Sequence, residues 1–161
     1  MRNLALAIII FAAGYYIASL QDADRDESGT VVTEGTINAF EMRIGDCFND
    51  DPDESDEETV EVFGVAGVPC NEPHDNEVFA IFNTTEAEFP GSEAMSELAY
   101  AGCIDRFAAF VGRDYETSQL DVYPMYPTIE SWNQRNDREV VCALYDLDLA
   151  KLTGSMRGTG I

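Results

Sequence analysis

Hydrophobic and polar positions follow three different rhythms along this chain. The first is unbroken: Leu4 to Leu20, LALAIIIFAAGYYIASL, is an apolar run of seventeen residues without a charge. As a helix it would measure about 26 Å at 1.5 Å per residue, just enough to cross a bilayer's hydrocarbon core. The second is a period of two. Phe40 to Phe48 alternates apolar and polar residues up to the Gly45-Asp46 turn signal, and Thr59 to Val68 carries Val60, Val62, Val65 and Val68. Glu77 to Phe82, Gln119 to Tyr126 and Arg138 to Asp146 are further strand segments, because β-branched and aromatic residues fit a pleated, half-buried surface. The last is apolar on both sides and is expected at the centre of a sheet. Turn chemistry in Asn71-Glu72-Pro73-His74-Asp75-Asn76 predicts that the strands on either side of it form one antiparallel pair.

The third rhythm begins after Pro90-Gly91. Met95, Leu98, Ala99, Cys103, Phe107, Phe110 and Val111 recur at three and four residues, the spacing of a helix with one buried face. Ser92 is the expected cap and Gly112 the expected stop. Pro127-Thr128 opens a short helical or looped piece through Ser131-Trp132-Asn133, and the glycine-bearing tail from Lys151 is expected on the surface. The fold class is therefore α+β: an N-terminal transmembrane helix, then a small disulfide-bonded domain with an antiparallel sheet of four or five strands and one main helix. The expected divisions are a cytoplasmic N-terminus at 1–3, the transmembrane helix at 4–20, an acidic solvated linker at 21–35, and an extracytoplasmic domain at 36–161.

Charge fixes the orientation and narrows the partners. Nine Lys and Arg stand against 31 Asp and Glu, for a net charge of −22. Arg2 precedes the apolar run, whereas Asp22, Asp24 and Asp26 follow it, so the positive-inside rule puts the N-terminus in the cytoplasm and the rest outside. Ala12-Ala13-Gly14 offers small residues for a signal-peptide cleavage, but Tyr15-Tyr16 and continued hydrophobicity favour retention as an anchor. No cysteine closes the run, which excludes lipid attachment there. Nucleic acid is excluded as a partner, because each phosphate contact needs a Lys or Arg to displace a counterion. Within the anchor, Gly14 and Ala18 form a small-x-x-x-small pair that would let another helix approach.

Cys47, Cys70, Cys103 and Cys142 all lie beyond the anchor. An even number outside the membrane reads as two disulfides. Spacing argues against a metal centre, since there is no C-x-x-C and only one histidine. Three pairings are possible, and chain order favours Cys47 with Cys70 and Cys103 with Cys142, which close separate loops. Each bridge would contribute about 3–4 kcal/mol in the chain-entropy picture.

Gly45-Asp46-Cys47-Phe48, Val68-Pro69-Cys70, Pro73-His74-Asp75, Glu77-Val78-Phe79, Cys103, Tyr126-Pro127-Thr128 with Ser131-Trp132, and Arg138 to Tyr145 together resemble the actinobacterial septum formation domain over about residues 40 to 157. The resemblance implies an envelope protein with one membrane helix, an extracytoplasmic domain and a link to cell division. It supplies no catalytic residues. The acidic loop after Cys47 departs from the family pattern.

Candidate chemistry is sparse. His74, beside Asp75, could act as a general base in a hydrolase, but no Gly-x-Ser-x-Gly elbow accompanies it, and a turn-fixing role is the plainer reading. In the acidic loop at 49–58, Asp51, Asp53 and Ser55 alternate, yet Asp56 and Val62 stand where an EF-hand needs Gly and Glu. A weak divalent-cation site competes there with a merely solvated charge run. Tyr123, Tyr126 and Trp132, with Pro124 and Pro127, form an aromatic cluster suited to a partner surface or to the core. The expectation is a cofactor-free, non-catalytic single-pass protein of the cell membrane. It would bind other envelope membrane proteins as an accessory subunit of a division complex or a respiratory supercomplex. An envelope hydrolase using His74 is the alternative.

Overall fold

The structure is a computed structural model and describes residues 21–50 and 62–161. The expected span at 4–20, with Gly14 and Ala18, lies outside the described residues, as do Asp51, Asp53 and Ser55. Among the described residues, no helix is long and apolar enough to cross a membrane.

Six strands form one antiparallel sheet: β1 Gly35–Asn38, β2 Cys47–Asn49, β3 Gly64–Val68, β4 Asn76–Asn83, β5 Leu120–Met125 and β6 Glu139–Asp146, in the spatial order β1-β3-β2-β4-β6-β5. Helix α1, Ser92–Val111, packs on one face, and the short α2, Ile129–Arg135, joins β5 to β6. The sheet thus has one strand more than the upper expectation, and the described residues hold two α-helices.

Both faces of the sheet are cored, which explains why β6 is apolar throughout. Val140, Cys142 and Leu144 meet Ala99, Cys103, Phe107 and Val111 of α1, while Val141 and Ala143 meet Val31, Met42, Phe48 and Val78 on the other face. Placing successive side chains on opposite faces is the rule of an extended strand. A register shift between Val78 and Ala80 breaks the rule in β4 and turns both Phe79 and Ala80 toward α1, as a bulge does. At Gly102 a side chain would collide with the Phe82 ring, so the glycine lets helix and sheet approach closely.

Four expectations are corrected. The strand expected from Phe40 to the Gly45-Asp46 turn signal is not formed: the Asn38 side chain accepts from the Phe40 N–H and starts a 3-10 turn over Ala39–Glu41. Met42 is buried while Phe40 and Ile44 are exposed, so the alternation does not define one face. The strands flanking the 71–76 turn are not paired, because β2 lies between β3 and β4. Ser92 is the first residue of α1 rather than its cap; Gly91 holds that place, without a side-chain cap. The helix does stop at Gly112, whose φ of 86° is left-handed and whose N–H reaches Ala108.

The fourth correction concerns both ends of the domain. Residues 21–34 are not a solvated tether: Gln21 accepts from the Thr36 N–H, Arg25 bridges to Val31, and Val31 is 4% exposed. This segment is part of the layer covering the second sheet face. The tail is not superficial either, since Leu152 and Met156 are buried in the α1 core and Gly158 and Gly160 donate to Phe110 and Val111. The two disulfides pair as chain order favours, Cys47 with Cys70 and Cys103 with Cys142.

Candidate functional site

Buried polar groups gather on and beside β2 and the start of β4. Asp46, just before β2, is 2% exposed and receives both terminal nitrogens of Arg25, at 2.5 and 2.7 Å, and the Arg43 N–H at 2.8 Å. The guanidinium's pKa is raised, chiefly by this hydrogen bonding. A planar fork on a carboxylate is the strongest geometry for such a pair. It fastens residues 21–34 to the sheet.

Glu77, on β4 opposite Cys47, is fully buried. Its carboxylate accepts from the Ser155 hydroxyl at 2.5 Å and from the Met156 N–H at 2.6 Å, so it holds the C-terminal segment in place. One of its oxygens lies within 4.8 Å of the sulfurs of both Cys47 and Cys70. Those three donors have metal-ligand character, but both sulfurs are committed to the disulfide and offer no thiolate. Cys47 is fully buried, whereas Cys70 is partly exposed, and its sulfur sits 3.2 Å from the Gly45 carbonyl oxygen.

His74 is brought into this region but not into a catalytic arrangement. It is fully buried; Nδ1 lies 2.8 Å from the Glu72 carbonyl oxygen, and Nε2 has no hydrogen-bond partner. Its backbone pairs with Leu152 in both directions. Asp75 does not orient the ring, because its carboxylate is turned to Lys151 at 2.6 Å and to the Asp50 N–H at 3.0 Å. A tautomer with Nδ1–H donating to Glu72 fits a side chain that fixes a turn. The general-base arrangement that Asp75 would supply is not formed.

The aromatic cluster is divided. Tyr123, on β5, packs with the second sheet face, and Tyr126, just past the end of β5, with the α1 face. Trp132 is only 5% exposed, with the Phe89 ring edge-on at 5.7 Å and the Arg138 guanidinium 3.4 Å from its ring centroid. It completes the interior under α2, whose start is fixed by a capping box between Thr128 and Ser131.

A second constellation was not singled out from the sequence. Asp121 of β5 accepts from Tyr115 at 2.7 Å and from Tyr145 at 3.2 Å, and Tyr100 joins through the Tyr115 hydroxyl at 2.6 Å. Burial, reinforced by the Asp121 charge, pushes the Tyr145 phenol up to about 12; Tyr115 is raised further by burial and its hydrogen bonds to Tyr100 and Asp121. These residues tie α1 to the sheet edge. Like Glu77 and the Arg25–Asp46 pair, they were hidden among 31 acidic residues, where no single carboxylate stands out.

No characterised protein and no solved structure matches the chain. The family model described as septum formation does, over residues 44–159, and covers the sheet from β2 onward, both helices and all four cysteines. By that match the chain belongs to the septum formation family, which supports a role related to cell division.

Proposed function

We propose that this protein is a non-catalytic, membrane-anchored assembly module of an actinobacterial envelope, an accessory subunit that docks on other membrane proteins at the site of division. The observation that carries this reading is the way residues 21–34 fold onto the sheet, clamped by Arg25 and Asp46. The uncharged run at 4–20 would then join a rigid domain with no slack between them. A rigid module next to a span suits geometric placement of a surface better than a tethered scavenger would. The run is read as a single-pass helix with the N-terminus in the cytoplasm, Gly14 and Ala18 are offered to a neighbouring helix, and the disulfide-bonded domain faces the oxidising side.

The test has two parts. Thiol labelling of single cysteines introduced at position 3 and at exposed Ser28, from either side of intact cells, should find them in different compartments; labelling on the same side removes the anchor reading. Purification in mild detergent should then recover division proteins in fixed ratio. Recovery with respiratory subunits would redirect the assignment to that complex, and recovery alone, with known complexes intact, would end the assembly reading.

A further inference from the structure

The two disulfides have different surroundings. Cys103–Cys142 lies between α1 and β6 with both residues fully buried. Cys47–Cys70 has one fully buried residue and one partly exposed, and a wholly buried carboxylate, Glu77, stands within 4.8 Å of both its sulfurs. Two hydrogen bonds, from the Ser155 hydroxyl and the Met156 N–H, hold that carboxylate in place. Among the described residues, no cation pairs with it. The β2–β4 register sets Glu77 opposite Cys47, so the carboxylate that anchors the tail also stands beside the disulfide.

We propose that Cys47–Cys70 is a thiol–disulfide exchange site, with Cys70 the sulfur attacked by an external thiol and Glu77 the proton acceptor for the buried Cys47 thiol. The substrate class is a small-molecule or protein thiol, which is also the reductant. A thiolate RS⁻ attacks Cys70 Sγ, the S–S bond breaks, and its electron pair leaves on Cys47 Sγ, which takes up a proton. The product is a mixed disulfide between RS and Cys70. A second RS⁻ attacks the outer sulfur of this mixed disulfide, forming RSSR and releasing the Cys70 thiolate, which is protonated in turn. In sum, two thiols are oxidised to one disulfide, and the Cys47–Cys70 bond is reduced to two thiols. In the reverse direction, the proton of Cys47 passes to Glu77, whose oxygen lies within 4.8 Å of the sulfur, and the thiolate displaces RS⁻ from Cys70. Attack is assigned to Cys70 because that residue is partly exposed whereas Cys47 is fully buried, and the thiolate must reach the sulfur it strikes. A carboxylate within 4.8 Å of the buried sulfur is the nearest proton acceptor offered to the resolving step, and closes to hydrogen-bond distance as the proton moves.

The two bridges serve as each other's control. The full-length chain, in detergent and under native conditions, is incubated with reduced glutathione, quenched with N-ethylmaleimide at intervals, and digested, so that each disulfide is read by peptide mass spectrometry. Cys47–Cys70 is expected to open at least about tenfold faster than Cys103–Cys142, as access to the sulfur governs exchange. Equal rates, or opening of both only on unfolding, would overturn the proposal. For Glu77, the mixed disulfide is prepared with oxidised glutathione on the reduced protein, and its resolution is timed across pH. Glu77→Gln should slow resolution by about a hundredfold, the low end of what general acid–base assistance contributes, with Glu77→Asp restoring part of the rate and the pH dependence. If Glu77→Gln instead accelerates exchange at every pH, the carboxylate only repels thiolates and the proton-acceptor role is refuted. The wild-type comparison decides the first part even if the Gln variant does not fold.

Discussion

Arg25 provides the most direct measure of whether residues 21–34 belong to the domain. Its guanidinium spans to Asp46 in a two-pronged contact at 2.5 and 2.7 Å and also donates to the Gly29 carbonyl at 2.8 Å. The side chains are 16% and 3% exposed, so Asp46 is the desolvated member. Replacing Arg25 by Ala leaves that carboxylate buried with the Arg43 N–H as its remaining donor. Breaking a buried pair from one side costs about 3–5 kcal/mol, and the partial exposure of Arg25 argues for the lower figure. Urea unfolding of R25A should therefore show a loss of about 3 kcal/mol, with Asp46→Asn losing less because it removes the charge that needs compensation. A double replacement, Arg25→Met with Asp46→Leu, should recover most of the loss, as apolar substitutes for a buried pair often do. A free tether behaves differently. If R25A changes stability by under about 0.5 kcal/mol, the value typical of a surface substitution, the clamp is absent in solution and the rigid-coupling argument falls with it.

Other consequences are open to measurement. Trp132→Ala should destabilise the domain by about 3–5 kcal/mol, the range for emptying a buried aromatic site; a near-neutral result in chemical unfolding would return Trp132 to the surface. Leu149 is 78% exposed and holds a φ of 57°, so Leu149→Gly should raise stability by up to about 1 kcal/mol by relieving left-handed strain, whereas a loss would reveal a packing role. The Tyr145 phenol is raised from 10 to about 12 in the folded state. The folded chain therefore keeps a proton that the unfolded chain has lost, and the corresponding stability is complete below about pH 10 and disappears as pH climbs toward about 12. Tyrosinate absorbance at 295 nm should show delayed ionisation, and Asp121→Asn should bring it earlier; no change on that substitution would remove Asp121 as a cause.

What the sequence discloses about this fold depends on whether a pattern is local. The helix and β6 were legible because Met95 to Val111 and Val140 to Tyr145 carry periodicities that only one buried face, or two, can explain. Chain order left three disulfide pairings open and favoured the one that is formed. Strand adjacency was not local: inserting the three-residue β2 between β3 and β4 depends on long-range pairing, which a turn signature at 71–76 does not encode. The bulge at Phe79 was equally invisible, because Val78-Phe79-Ala80-Ile81 reads as uniformly apolar whichever residues face the helix.

The acidic stretches are the deeper source of error. Residues 21–34 hold Asp22, Asp24, Asp26, Glu27 and Glu34 among few apolar side chains, a composition that argues for solvation. Yet Val31 is buried, and the two charges that matter, Arg25 and Asp46, are 21 residues apart in sequence. In a chain with so few basic residues, the informative feature was the lone Arg25 within an acidic segment, since a cation there must find a carboxylate and many were available. Its choice of the buried Asp46, rather than an exposed neighbour, is what turns a nominal linker into part of the domain. The same logic applies to Glu77: among many acids, the carboxylate that the fold isolates from water and sets beside a disulfide is the one whose chemistry merits a test.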